Sequence, residues 1–197
     1  FFVNGVPCNC AVLSEFNPMG VNDTFSHLLC NDIAFVNSHF VKKEVIRNNF
    51  FKWFSLKYGK YIFKNVYYGV TGYGFSMFHN FHVSSPLLKT TYEKVWELEP
   101  DALIGVCNNK FRSITDLNQY ILTFYDICTG NFVPRRVVDS RYYEIGRDKA
   151  LYDDVLSGSH KFICLNDSPN LIDFEKEKEK LISIFEKKFP NKCSFEL

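Results

Sequence analysis

Apolar and polar positions recur along most of this chain with a helical period. Phe25, Leu28, Leu29, Ile33, Val36 and Phe40 fall on one face of a helix that Asp23 or Thr24 can cap. The stretch VKKEVIRNNFFKWFSLKYGKY then sets Lys42, Lys43, Arg47, Lys52, Lys57 and Lys60 between Val45, Ile46, Phe50, Phe51, Trp53, Phe54 and Tyr58. That spacing predicts two short basic amphipathic helices, stopped by Gly59. Ser85 and Pro86 suit the N-cap and first position of a helix with Leu88, Tyr92, Val95 and Trp96 on its apolar face. Glu99-Pro100-Asp101 breaks the chain and starts another helical piece, ALIGVCNN. Ser113 caps a helix whose stripe is Leu117, Tyr120, Ile121, Phe124, Tyr125 and Cys128, closed by Gly130. A charged helix over 173–189 turns Phe174, Leu181, Ile182 and Phe185 inward.

Strand signals are fewer. RYYEI within 137–145 and KFICL at 161–165 read as short strands, with a short helix over 148–156 between them. Residues 1–20 carry the turn signals Asn4-Gly5 and Asn17-Pro18 around Ala11-Val12-Leu13, a short strand or helical turn. Gly69, Gly72 and Gly74 among Tyr and Phe in 61–77 predict a flexible approach, or lid, to the loop beyond them. Their order reverses the dinucleotide fingerprint, and no strand-then-helix context supports phosphate binding there. The fold class is α/β, helix-rich, with few short strands. No internal repeat or linker divides the 197 residues, so 1–197 reads as one domain: a helical segment over 1–75, a catalytic region over 76–170 and a C-terminal helix over 171–197.

Composition narrows the function. With 46% hydrophobic residues the chain can bury a real core. Its 23 basic and 22 acidic residues leave a net charge of +1, which steers it to no nucleic acid. The 21 Phe and 11 Tyr suit an aromatic core or, as the sharper alternative, sugar-stacking platforms. Seven cysteines at irregular spacing fit a reduced, cytoplasmic chain, and Cys8-x-Cys10 lacks a second pair for zinc. No apolar run reaches the ~20 residues of a membrane helix. The basic stretch over 42–60 leaves room for contact with a membrane surface or an anionic glycan.

The chemistry-bearing residues are few. His82 sits in a Val-Ser-Ser turn ahead of a helix, where a histidine is more often a plain loop residue than a general base. Arg112 lies just before a predicted helix start, where an anion would meet both guanidinium and helix N-terminus. Asp116 and Asn118 stand in the same first turn, as caps or as site groups. Asn166 and Asp167 end the KFICL strand, a favoured ligand position in α/β folds and also an ordinary turn into the next helix.

Five stretches, matching in their order along the chain, resemble the Stealth family of sugar-phosphate transferases. HVSSPLLKTTYEKVWELEP and FRSITDLNQ are similar to its third shared region, KFICLNDS to the fourth, and NDIAFVNSHFVKKEVIRNNFFKWFSLKYGK to the segment before the third. FFVNGVPCNCAVLSEFNP resembles the stretch just after the second region. His82, Pro86, Leu88 and Lys89 match the family's His-x-Pro-x-Pro-x-Leu-Lys pattern, and Ser84 replaces its first Pro. The resemblance implies transfer of a sugar-1-phosphate from a nucleotide sugar to a glycan hydroxyl in capsule or exopolysaccharide synthesis. In it His82 is the base, Arg112 holds the diphosphate, and Asn166 with Asp167 hold Mg²⁺ or Mn²⁺. Asp116 orients the base or joins the metal, while Lys89 and Asn118 contact substrate. Those roles need His82, Arg112 and Asp167 in one cleft. Phe1 begins without Met inside an element, so the chain reads as the acceptor-side fragment of a larger domain, inactive alone. A cytoplasmic place is implied, with peripheral contact to capsule machinery on the inner membrane face. The competing reading is a non-catalytic glycan-binding module.

Overall fold

The computed structural model describes residues 1–16, 25–81, 84–167 and 173–195, apart from the Val138 side chain. The chain divides into two units: residues 1–80 with 85–137, and 81–84 with 138–197.

In the first unit, β1 (Phe2–Val3) and β2 (Val6–Asn9) form a hairpin. Asn4 (φ 49°) and Gly5 (φ 75°) supply the two left-handed residues that a tight turn of this kind requires. Beyond β2, the segment Ala11-Val12-Leu13 is wholly buried. It draws its hydrogen bonds from side chains as well as backbone. Ala11 N donates to the Tyr58 hydroxyl (3.2 Å) and Leu13 N to Asn65 Oδ1 (2.7 Å). Asn65 Nδ2 donates to Ala11 O and Trp53 O, each at 2.6 Å. His79 N donates to Val12 O (2.8 Å), and Leu13 bridges Phe78. The fully buried Asn65 therefore does for this segment what a neighbouring strand would do.

Helices surround that segment: α1 (Ser26–His39), α2 (Lys42–Asn48), α3 (Phe50–Trp53), a 3₁₀ piece (Leu56–Tyr61), α4 (Ile62–Val70), α5 (Lys89–Leu98), α6 (Pro100–Asn108) and α7 (Tyr120–Thr129). Then β3 (Val133–Pro134) pairs in parallel with β2. Trp53, Phe75, Phe78 and Phe124 stack in series through the core, with centroids 4.5–5.9 Å apart. Gly59 (φ 54°, ψ −131°) breaks the 3₁₀ piece before α4, and Gly130 (φ 76°) ends α7 in the left-handed region.

Several sequence expectations change. The helix expected from Ser85 begins at Lys89, because Leu88 stays extended (φ −101°, ψ 139°) and Pro86 is buried in the approach. Its buried positions are Thr91 and Val95, with Tyr92 facing solvent, because the Thr91 hydroxyl donates to buried Asp126 (2.6 Å). Much of the glycine-rich lid is the helix α4, its Asn65 turned inward and its Gly69 tolerated within the helix. The helix expected from Ser113 starts at Tyr120, since residues 113–118 form a turn held by side chains. Lys42, expected on a solvated face, is 1% exposed. It donates to Tyr68 O, Thr71 O and Gly72 O at 2.9, 2.5 and 3.1 Å, closing the C-terminal end of α4, and burial lowers its pKa. The expected caps Asp23 and Thr24, and the Asn17-Pro18 turn, lie outside the described residues.

In the second unit, β4 (Ser140–Glu144), α8 (Ala150–Ser157) and β5 (Phe162–Asn166) make one strand–helix–strand crossover: the strands pair in parallel from Ser140 beside Phe162 to Glu144 beside Asn166. Tyr143, Leu151 and Val155 form its core, joined by Ile163, Leu165, Leu181 and Ile184. The last helix, α9 (Phe174–Lys188), is capped by Asp173, whose carboxylate accepts Lys176 N–H. It packs through Leu181 and Ile184, whereas Phe174, Ile182 and Phe185, expected inside, are 40–56% exposed. The inner face follows the i, i+3 step from Leu181 to Ile184 rather than the run of largest side chains. Among the described residues no helix is long and apolar enough to cross a membrane.

Candidate active site

Three of the predicted site residues lie on one short turn. After α6 the chain runs through Arg112 into the turn 113–118 and then into α7, and this path walls a cleft of about 410 Å³. Phe25, Leu28 and Val106 give the cleft its apolar side, and Lys110, Arg112, Asp116 and Asn118 its polar side. The Arg112 guanidinium lies 5.6 Å from the Phe25 ring centroid, a stacking that orients the fork.

Asp116 is 6% exposed, and both carboxylate oxygens are engaged. Oδ1 accepts Asn109 Nδ2 and Oδ2 accepts Ser113 N–H, each at 2.7 Å. Asn118 Oδ1 accepts Tyr120 N–H (2.7 Å), so it serves the start of α7, while its Nδ2 is buried without a partner among the described residues. Lys110 and Arg112 against the single carboxylate of Asp116 give the described lining a net positive charge, which suits an anion.

Of the other predicted residues, Lys89 belongs to the first unit and Asn166 and Asp167 to the second. Lys89 opens α5, 89% exposed, 3.7 Å from Glu93, and is not among the residues walling the cleft. In the second unit Asn166 ends β5 and Asp167 comes next, both exposed, with Asn166 Nδ2 donating to Asp167 O (2.8 Å). They sit at the carboxyl end of a parallel strand pair, a common ligand position in α/β folds. A carboxylate and an amide oxygen are hard donors that fit Mg²⁺ in kind. Among the described residues no three His, Cys, Asp or Glu side chains gather as a metal set. His82 lies outside the described residues.

Similarity places the chain among known enzymes. It is 30% identical over 201 residues to the capsular polysaccharide phosphotransferase WcwK of Streptococcus pneumoniae, covering all of this chain and 58% of that protein. It is 31% identical over 199 residues to the exopolysaccharide phosphotransferase cps2G of Lactiplantibacillus plantarum, covering 100% and 57%. To the receptor polysaccharide phosphotransferase WefC of Streptococcus gordonii it is 31% identical over 173 residues, covering 87% and 51%. Along its whole length this chain is similar to capsular and exopolysaccharide phosphotransferases. That agrees with the Stealth resemblance read from its motifs. The chain spans only 51–58% of the length of these relatives. No family model and no solved structure matches it.

Sequence reasoning passed over two clusters of polar groups. One is Asn31 and Asp32 of α1, which hold the cleft turn from behind. Asp32 falls four residues after Leu28 and four before Val36, both buried, and that spacing was the available signal. The other, in the second unit, is Asp154. Its Oδ2 accepts the Tyr143 hydroxyl at 2.7 Å and lies 2.7 Å from His160 Nδ1. Burial raises the Asp154 carboxyl, but Tyr143 and His160 outweigh that and hold it below the usual range. Burial also pushes the Tyr143 hydroxyl up to about 12.

Proposed function

We propose that this chain is the acceptor-side part of an enzyme that moves a sugar-1-phosphate from a nucleotide sugar to a glycan hydroxyl in capsule or exopolysaccharide synthesis. The observation that carries this reading is the gathering of Arg112, Asp116 and Asn118 on one tied turn beside an anion-suited cleft, in a chain similar throughout to polysaccharide phosphotransferases. The acceptor oxygen attacks the sugar-bearing phosphorus of the donor. A phosphodiester bond forms, the bond to the bridging oxygen breaks, and the nucleoside monophosphate leaves. His82 takes the hydroxyl proton. Arg112 presents its fork to the diphosphate oxygens. Mg²⁺ or Mn²⁺ would be held by Asp167 and Asn166, supplying cationic charge to the phosphoryl oxygens. Lys89, on an exposed helix start, adds positive charge for the donor.

Arg112→Ala in the full-length protein is expected to raise the KM for the donor about tenfold or more, since a charge-assisted bidentate contact is lost. Release of UMP from UDP-N-acetylglucosamine and related donors with Mg²⁺ is the assay. An unchanged KM across those donors would remove Arg112 from the diphosphate.

A place at the membrane surface is supported by α4. Phe63, Val66, Tyr67 and Val70 take the i, i+3, i+4, i+7 positions and are 48–77% exposed, beside Lys57, Lys60 and Lys64. Phe63→Ser with Val70→Ser should lower co-sedimentation of the full-length protein with vesicles rich in anionic lipid at least threefold. Equal sedimentation of variant and wild type would take α4 out of any membrane contact.

A further inference from the structure

Asn31 and Asp32 are consecutive residues of α1, and together they grip the turn beyond Arg112. Asn31 Nδ2 donates to Ile114 O and to Asp116 O, each at 2.8 Å. Asp32 Oδ1 accepts the Asn118 backbone N–H at 2.9 Å, where the turn passes into α7. Inside the turn, the Asp116 carboxylate closes onto Ser113 N–H and the Asn109 amide. The 113–118 path is thus tied both to itself and to α1, and Arg112 immediately precedes it, over the ring of Phe25.

Asp32 is a costly residue for this place. Its side chain is fully buried, and Oδ2 has no hydrogen-bond partner among the described residues. Burial pushes the carboxyl up to about 8, against the lowering effect of the Asn118 N–H. A helix contact that needed only packing would be better served by an apolar side chain of similar volume, which carries no desolvation penalty. What a carboxyl adds here is an acceptor fixed on the main chain at the exit of the turn.

We infer that Asn31 and Asp32 are positioning residues of the anion site: they set the 113–118 turn against α1 and so hold the Arg112 guanidinium where a phosphoryl group docks. This rests on the reading of the cleft given above. Neither side chain touches the ligand. Asp32 acts through the Asn118 N–H, and Asn31 through two carbonyls of the same turn.

The test uses the full-length protein and inorganic pyrophosphate as probe, with calorimetry at a temperature where circular dichroism finds every variant folded. Asp32→Asn keeps an oxygen acceptor of the same shape and is expected to bind within about twofold of wild type. Asp32→Leu removes the acceptor and is expected to weaken binding about tenfold. Asn31→Ala leaves the buried face of α1 intact and is expected to weaken it about fivefold. A merely structural role would move unfolding midpoints and leave pyrophosphate affinity unchanged. A folded Asp32→Leu or Asn31→Ala protein that binds as tightly as wild type overturns the positioning role, and where Asp32→Leu does not fold, Asn31→Ala decides alone. Arg112→Ala separates the two levels. Wild-type affinity in that variant, or no binding by the wild type, overturns the anion site itself. Lost affinity in Arg112→Ala with full affinity in Asn31→Ala overturns the positioning role only.

Discussion

In the full-length protein, His82→Ala should lower turnover by about 10²-fold or more while leaving the affinity for nucleotide sugar unchanged. The expectation comes from the motif that His82 shares with Pro86, Leu88 and Lys89, and from the demand of the chemistry. A sugar hydroxyl at neutral pH is a weak nucleophile, and attack on phosphorus needs its proton removed as the new bond forms. Positioning and cationic charge would survive the substitution, so some rate above the uncatalysed one should persist. A single-turnover measurement separates the chemical step from product release. A His82→Ala enzyme with wild-type turnover would place His82 among the loop residues and leave the base to be sought elsewhere.

The second large effect concerns stability. Asn65→Ala is expected to destabilise the first unit by about 3–6 kcal/mol, a large part of the ~5–15 kcal/mol of a typical domain. Three short hydrogen bonds converge on this fully buried amide, from Leu13 N and to Ala11 O and Trp53 O. Truncation leaves three buried backbone groups unpaired and opens a cavity beside them. Urea unfolding of Asn65→Ala and Lys64→Ala side by side gives the comparison. Lys64 is the adjacent residue, with a partly exposed ion pair to Glu15 at 3.1 Å, and its loss should cost under about 1 kcal/mol. Equal midpoints for the two variants would mean that the 11–13 segment is held by packing rather than by Asn65.

Much of the helical frame was legible because its signals are local. Pro100 opens α6, Gly130 ends α7, Gly59 interrupts the chain before α4, and the short runs RYYEI and KFICL mark the two strands of the second unit. The failures share a cause as well. Lys42 and Asn65 are polar by type and buried by circumstance, since their partners lie far along the chain. No periodicity argument foresees a lysine that three carbonyls enclose. The same holds at the cleft. Arg112, Asp116 and Asn118 stood out because they crowd a helix start, whereas Asn31 and Asp32 are more than 80 residues upstream and declare themselves only through the backbone groups they hold. Asp116 illustrates the reverse difficulty, for an acid beside an expected helix start reads alike as a cap and as a site group, and here its oxygens close the turn ahead of α7.

The wholly buried 11–13 segment has a bearing on how the chain is made. Its side-chain partners stand 47, 52 and 54 residues downstream, and β2 meets β3 only at Val133. At ~5–20 residues per second, synthesis leaves Ala11, Val12 and Leu13 unpaired for seconds after they emerge. Helices such as α1, whose backbone hydrogen bonds are local, can form during that interval, but the 11–13 segment must wait for its partners. The nascent chain thus carries an apolar stretch in search of a partner, and it becomes safe from foreign strands only once the Asn65 turn of α4 has been translated.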